Sequence, residues 1–274
     1  MISIIICSTK LHLNCILDRN IQETIGVDYE VIFIDNSDNK YSIFSAYNEG
    51  VKQSKYPYLC FIHEDIIFRT NNWGKLLCKA FETSSKIGMI GVIGAKMIFD
   101  FTWGWWTAPQ VGKIIQSNKT KRITSKYIQC LDDHPILLNA AICDGLFLAF
   151  PKKIFDQISF DENTYKGFHG YDMDISMQVL VSGYEIKVIK NILVEHFSFG
   201  TINESFIDAC YLFNNKWSRD LPIACSGISS EEIEDYRERY IKDIFRFCPQ
   251  KNILKKFNLK HILEVFFLCF LGFV

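Results

Sequence analysis

No sign of charge dominates this chain: 30 Lys and Arg stand against 31 Asp and Glu in 274 residues, a formal net charge of −1. Without a global basic field, nothing argues for nucleic-acid binding. The ten cysteines contain no C-x-x-C pair, and their spacing fits neither a zinc site nor a disulfide framework. Scattered cysteines of this kind read as buried reduced thiols, and so as a cytoplasmic protein rather than a secreted one. No basic leader precedes residues 2–7, which read as a first strand and not as a signal peptide. No G-x-G-x-x-G follows that strand and no G-K-[ST] occurs, so dinucleotide-binding and P-loop readings lack their phosphate cradles. There is no internal repeat and no low-complexity segment. The C-terminal apolar run, residues 261–274, is broken only by His261 and Glu264. It falls short of the roughly 20 residues that a membrane-spanning helix needs. Lys251, Lys255, Lys256 and Lys260 precede it, and a basic, apolar tail could lie on an anionic membrane surface. The alternative is a terminal helix docked on the core or on a second subunit.

What is present is a chain long enough for a sizeable core, with 23 Phe and 12 Tyr to fill it. Residues 3–7 and 30–34 are short β-branched runs, each followed by polar residues. Between them, Leu13, Ile16, Leu17 and Ile21 recur near helical spacing within 11–25. Residues 42–55 read as a second helix and Tyr58–Ile62 as a third strand. Asn72 reads as the cap of a helix that carries Trp73, Leu76, Leu77, Ala80 and Phe81 on one face. Residues 87–92 then read as a fourth strand. This alternation predicts an α/β fold with a parallel sheet covered on both faces. It breaks after Lys96, where 97–135 read as a loop or hairpin insertion. Further on, Pro151 reads as the start of a short helix, 172–181 as a helix stopped by Gly183, and Glu185–Ile189 as a strand. Ser229 with Glu232 forms a capping-box start for a helix through about Phe247.

Most of the chemistry gathers in residues 45–68, SAYNEGVKQSKYPYLCFIHEDIIF. The buried strand Tyr58–Ile62 runs straight into His63, Glu64 and Asp65. Carboxylates at a strand end are costly unless water, a cation or a donor receives them, and ligands bind at such ends in open α/β sheets. A divalent cation shared with phosphate oxygens would satisfy the acidic pair; a plain surface turn is the bland alternative. Asp35, past the second strand, could accept hydrogen bonds from a base or ribose, or could simply cap an Asx-turn. Asp172 and Asp174 lie between Gly170 and a helix. Either could serve as a general base toward a sugar hydroxyl, and both are also favoured there by the helix dipole. His196 follows an apolar run, where a histidine is either structural or, if it converges with Asp65, a metal ligand. The cluster Trp103-Gly104-Trp105-Trp106 reads as core, or as a platform for the C–H face of a sugar ring.

Taken in order, these pieces resemble glycosyltransferase family 2, the nucleotide-sugar transferases with a GT-A fold. The resemblance covers roughly residues 1–201. It rests on Cys7-Ser8-Thr9 after the first strand, Asp35 after the second, AYNEG before a strand ending in HED, Asp144-Gly145, Asp172 and the V-x-H ending at His196. It implies a Rossmann-like, mostly parallel central sheet flanked by helices, with a C-terminal helical extension. A transferase domain would span 1–220, its nucleotide-binding half about 1–96 and its acceptor half about 97–220, with the extension at 221–274. By resemblance, Ser8, Thr9, Asp35, Asn48, Glu64 and Asp65 would hold the donor nucleotide. Trp105, Trp106, Asp144 and Gly145 would border the acceptor or sugar. Asp172 would be the catalytic base. Asp65 and His196 would reach a Mg²⁺ or Mn²⁺ on the diphosphate, with His63 a third candidate. The chain departs from the family pattern where His63 replaces the first aspartate of D-x-D and Tyr171 replaces the glutamate of E-D. It also lacks Q-x-x-R-W, which argues against a processive synthase.

The resulting expectation is an inverting, metal-dependent glycosyltransferase. It would move a sugar from a UDP- or GDP-sugar to the hydroxyl of a glycan or lipid-linked glycan, in cell-surface polysaccharide assembly. The expected setting is cytoplasmic, with peripheral membrane contact through the tail and a homo-oligomer as further options. A sugar nucleotidyltransferase and a non-catalytic glycan-binding domain are the rival readings. The first normally needs a glycine-rich basic loop after the first strand, where Cys7-Ser8-Thr9-Lys10 has no glycine.

Overall fold

The structure, a computed structural model, describes residues 1–99, 102, 104–117, 122–127, 136–200 and 202–237. The basic and apolar tail, Trp103 and the end of the helix begun at Ser229 lie outside them. The first half runs β1 (Ile2–Ser8), α1 (Cys15–Thr24), β2 (Tyr29–Asp35), α2 (Ile43–Gln53), β3 (Tyr58–Ile62), β4 (Ile66–Phe68), α3 (Trp73–Glu82) and β5 (Ile87–Gly91). Then come β6 (Ile93–Ala95), β7 (Met97–Ile98), a 3₁₀ turn at Trp105–Thr107, β8 (Gln110–Ser117), β9 (Arg122–Tyr127), β10 (Leu137–Ala140), β11 (Ile142–Cys143) and β12 (Phe147–Pro151). The last part holds α4 (Tyr171–Val181), β13 (Glu185–Ile189), β14 (Val194–His196), α5 (Glu204–Lys216) and β15 (Ile223–Ala224).

Seven strands form the central sheet in the order β10-β13-β5-β12-β3-β1-β2. β1 pairs in parallel with β2 and β3, and β13 with β5, while β12 and β10 run against their neighbours. The continuous apolar runs of β1 and β3 follow from burial on both faces. Ile4, Ile6, Cys60 and Ile62 enter one core cluster, and Ile5, Leu59 and Phe61 the other. α2 covers the second face, where Gly50 lets the helix sit so close to Ile5 that any side chain there would collide with it. Ser42 caps that helix by accepting from Ser45 N at 3.2 Å.

A second sheet, β11-β6-β8-β14-β4 with β9 paired to β8, takes β8 and β9 from the segment expected as an insertion and its other strands from outside it. The β8–β9 hairpin realises that expectation. Two expected starts differ. Asn72 makes no side-chain cap but takes a left-handed conformation (φ 59°), while Gly74 N donates to Ile25 O at 2.9 Å, so neighbouring backbone supplies the missing partner. Pro151 closes β12, and a 3₁₀ turn at Lys152–Asp156 follows it. The capping box holds, with Ser229 N donating to Glu232 and Glu232 N to Ser229 Oγ. The cysteines among the described residues are all free thiols. No helix among the described residues is long and apolar enough to cross a membrane.

Candidate active site

The carboxyl ends of β1, β2 and β3 meet at one edge of the central sheet, with Ser8 opposite Asp35 in register. β3 stops at Ile62, and His63 N donates to Leu146 O at 3.1 Å, which sets the D-G turn beside the strand end. In that turn Asp144 accepts from Leu146 N at 2.9 Å, while its own N–H donates to Ile93 O. The second sheet brings the distant histidine in. β14 lies antiparallel to β4, pairing His196 with Ile66, and Phe197 N donates to Asp65 O at 2.9 Å. Glu195 anchors the other face of β14, accepting from Arg69 Nε at 2.7 Å and from Ser117 Oγ at 2.6 Å.

His63, Asp65 and His196 therefore converge, with one ligand atom from each within 4.8 Å of the others. His196 Nε2 lies 3.4 Å and His63 Nδ1 3.9 Å from Asp65 Oδ1. His196 Nε2 is buried and makes no hydrogen bond of good geometry. Burial alone would raise the Asp65 carboxyl, but the attraction of His196 and then of His63 holds it below its usual range. Burial, and then the charge of His196, pushes His63 down, which favours the neutral imidazole that can bind a metal. Burial lowers the pKa of His196, but the adjacent Asp65 carboxylate outweighs it and raises the value, so a cation would displace a proton there. The nitrogen–oxygen–nitrogen donor set fits a divalent cation.

His63 Nε2 makes a 2.6 Å hydrogen bond with the hydroxyl of Tyr171, the first residue of α4. Tyr171 is buried and held edge-on between Phe44 and Tyr47. Any side chain at Gly145 would collide with its hydroxyl, so the D-G turn needs glycine here for a steric reason. Asp172, the next residue, accepts from Met173 N at 2.9 Å. Burial and then the negative charge of Asp144 raise its pKa to about 7. A carboxyl so placed can exchange a proton near neutral pH.

Two cavities open on this cluster. One, of about 550 Å³, is lined by Ser8, Thr9, Asn36, Tyr41, Glu64 and Asp65. The other, of about 570 Å³, is lined by Trp105, Trp106, Asp144, Gly145, Tyr171 and Asp172. His63, His196 and Phe168 line both. A larger cavity of about 710 Å³ lies at the opposite end of the sheet, beside Tyr58, Phe81 and Lys152, away from all of these groups.

The structure places the other residues singled out in the sequence as follows. Glu64 accepts from Ser8 Oγ and lies 3.2 Å from Lys10 Nζ, tying the loop after β1 to the end of β3. Asp35 does not face the first cavity: it is exposed and caps its own turn through Ser37 N at 2.9 Å. Asn48 is also elsewhere. Its amide donates to Phe160 O at 2.8 Å and accepts from Phe160 N at 3.0 Å, so it pins a loop. Trp105 is 8% exposed and packs inward, whereas Trp106 is 38% exposed and stacks on Phe206 at 5.5 Å. Sequence reasoning did not single out Tyr41 or Phe168, whose signal was only an aromatic residue beside a turn.

Among known protein families, one described as a glycosyltransferase-like family matches residues 3–209. The chain belongs to that family. Its fold is GT-A, and solved structures agree. Staphylococcus aureus TarS, residues 1–349, in complex with UDP-GlcNAc is 12% identical, with a TM-score of 0.52 over 96% of this chain and 79% of that one. TarS 1–349 alone is 13% identical, with a TM-score of 0.53 over 94% and 76%. At such identity the likeness establishes the fold alone. GalNAc-T7 with UDP, GalNAc and Mn²⁺ is more distant, 11% identical at a TM-score of 0.49, over 87% of this chain and 54% of that one. No curated protein matches the sequence.

Proposed function

We propose that this family member is an inverting, metal-assisted glycosyltransferase that moves a sugar from a nucleoside-diphosphate donor to an acceptor hydroxyl. The observation that carries the reading is the His63–Asp65–His196 cluster on the shared wall of two cavities, with Asp172 in the second. The cavity beside Ser8, Thr9 and Asp65 is assigned to the donor, and the one beside Trp106, Asp144 and Asp172 to the acceptor. UDP is the first nucleotide to try, since the structural neighbour TarS is solved with UDP-GlcNAc. The acceptor assigned to the second cavity is a glycan, free or lipid-linked, whose C–H face the exposed indole of Trp106 can receive.

In the proposed reaction Asp172 takes the proton of the acceptor hydroxyl as that oxygen bonds to the anomeric carbon. The bond from that carbon to the diphosphate breaks, and the diphosphate leaves with the electron pair. Attack from the acceptor cavity, opposite the departing diphosphate, inverts the anomeric centre. Asp65, His196 and His63 would hold the cation, whose positive charge offsets the charge on the leaving group when bound. Two imidazoles and one carboxylate favour Mn²⁺ over Mg²⁺, which prefers oxygen ligands. The test is a panel of UDP- and GDP-sugars with Mn²⁺, scored for transfer and for donor hydrolysis. Turnover that disappears in Asp65→Ala and Asp172→Ala is the expected result. Failure of the protein to bind any donor would overturn the reading.

A further inference from the structure

His63 and Tyr171 touch in the folded protein, His63 Nε2 to Tyr171 Oη at 2.6 Å. An imidazole differs from a carboxylate ligand in one respect that matters here: only the ring nitrogen without a proton can bind a metal. Something must therefore decide which nitrogen is free. Tyr171 is fixed by its ring contacts with Phe44, Tyr47 and Phe168. With His63 Nε2–H donating to the Tyr171 hydroxyl, Nδ1 is left unprotonated. Nδ1 is the nitrogen on the Asp65 side, 3.9 Å from Oδ1. Ligands at about 2.1 Å from one ion lie about 3 Å apart when adjacent and about 4 Å when opposite. The 3.4 and 3.9 Å separations from Asp65 to the two imidazoles fall in that span.

We propose that Tyr171 is a positioning residue that holds His63 in the tautomer whose Nδ1 completes a His63–Asp65–His196 cation site. The assignment rests on the metal-assisted reading above and deepens it. Gly145 belongs to the same device, because only glycine leaves room for the Tyr171 hydroxyl beside the D-G turn. Hydrogen-bond partners of ligating histidines typically change metal affinity by about 10–100-fold when removed.

The experiment is Mn²⁺ titration of the full chain, with and without UDP, followed by the electron spin resonance of free Mn²⁺ and by the ¹⁴N couplings of bound Mn²⁺. Tyr171→Phe keeps the packed ring, and thermal melting verifies that the variant is folded. The expected result is a loss of Mn²⁺ affinity of about tenfold or more, with a weakened coupling from one of two imidazoles. In a His63→Asp background, where no tautomer needs fixing, adding Tyr171→Phe is expected to change the affinity no further. An unchanged affinity in Tyr171→Phe would overturn the proposal, as would a loss of equal size in both backgrounds, which a purely structural role produces. Either result leaves the transferase reading standing. Absence of Mn²⁺ binding by the unaltered chain with UDP present would overturn both.

Discussion

Asp172 and Asp65 are both acids beside a strand or helix end, yet their surroundings send them in opposite directions. Two imidazoles hold Asp65 ionised, while burial and Asp144 hold the Asp172 proton up to about pH 7. One acid suits a cation and the other suits proton transfer. A base must be deprotonated to act, so transfer is expected to fall as pH drops through about 7 and to level off above it. Asp144→Asn removes the second cause of the raised value, so that limb of the pH–rate profile should move to lower pH. A profile that stays in place would detach Asp172 from the acid limb. The same shift has a stability sign: a folded pKa above the ordinary carboxyl value means that Asp172 costs stability as pH rises from about 4 toward 7. At this scale the meeting of His196 with Asp65 and the place of Asp172 at a helix start were legible in the sequence, because each follows an apolar run or a glycine at an element end. Asn48 and Asp35 were not. A polar residue near a strand end serves a backbone turn as readily as a ligand, and only the distant Phe160 backbone shows where Asn48 is spent.

α4 is the element that carries both Tyr171 and Asp172, and its start is clamped from behind. Asp174, 1% exposed, accepts from Lys216 Nζ at 2.7 Å, Trp217 Nε1 at 2.9 Å and Gln178 Nε2 at 2.8 Å. The first-turn carboxylates also suit the helix N-terminus. Removing Asp174 leaves Trp217 Nε1 without its acceptor, while Lys216 keeps Asp161 and Gln178 keeps Ser159 O, so Asp174→Ala is expected to cost on the order of 2 kcal/mol, read by urea unfolding. A change below about 0.5 kcal/mol, the range of ordinary surface substitutions, would contradict this clamp. The first four helices were legible because their apolar faces are local signals, whereas α5 was not expected from the sequence; Ser42, Asn14 and Asn203 cap as their residue types favour. The short strands β4, β6 and β11 were not, since runs of two or three residues gain their identity from partners far away in the chain.

Across the whole molecule, the central sheet supplies the strand ends and the second sheet supplies the residue that completes the cluster. Neither makes the site alone. The pairing of β4 with β14 places His196 beside Asp65, and the turn before β12 places Asp144 and Gly145 in the wall of the second cavity. The α/β alternation of the first half announced a parallel sheet, because each strand there is followed by a covering helix. The antiparallel β12 in its middle carries no such mark, as a buried apolar run reads alike in either direction. The most direct test of the account is a crystal structure of the protein with UDP and Mn²⁺. The account places Mn²⁺ on Asp65, His196 and the Nδ1 of His63, with the diphosphate beside it and the uridine toward Ser8 and Thr9. Mn²⁺ and UDP bound elsewhere, as in the cavity beside Tyr58 and Lys152 at the far end of the sheet, would contradict it.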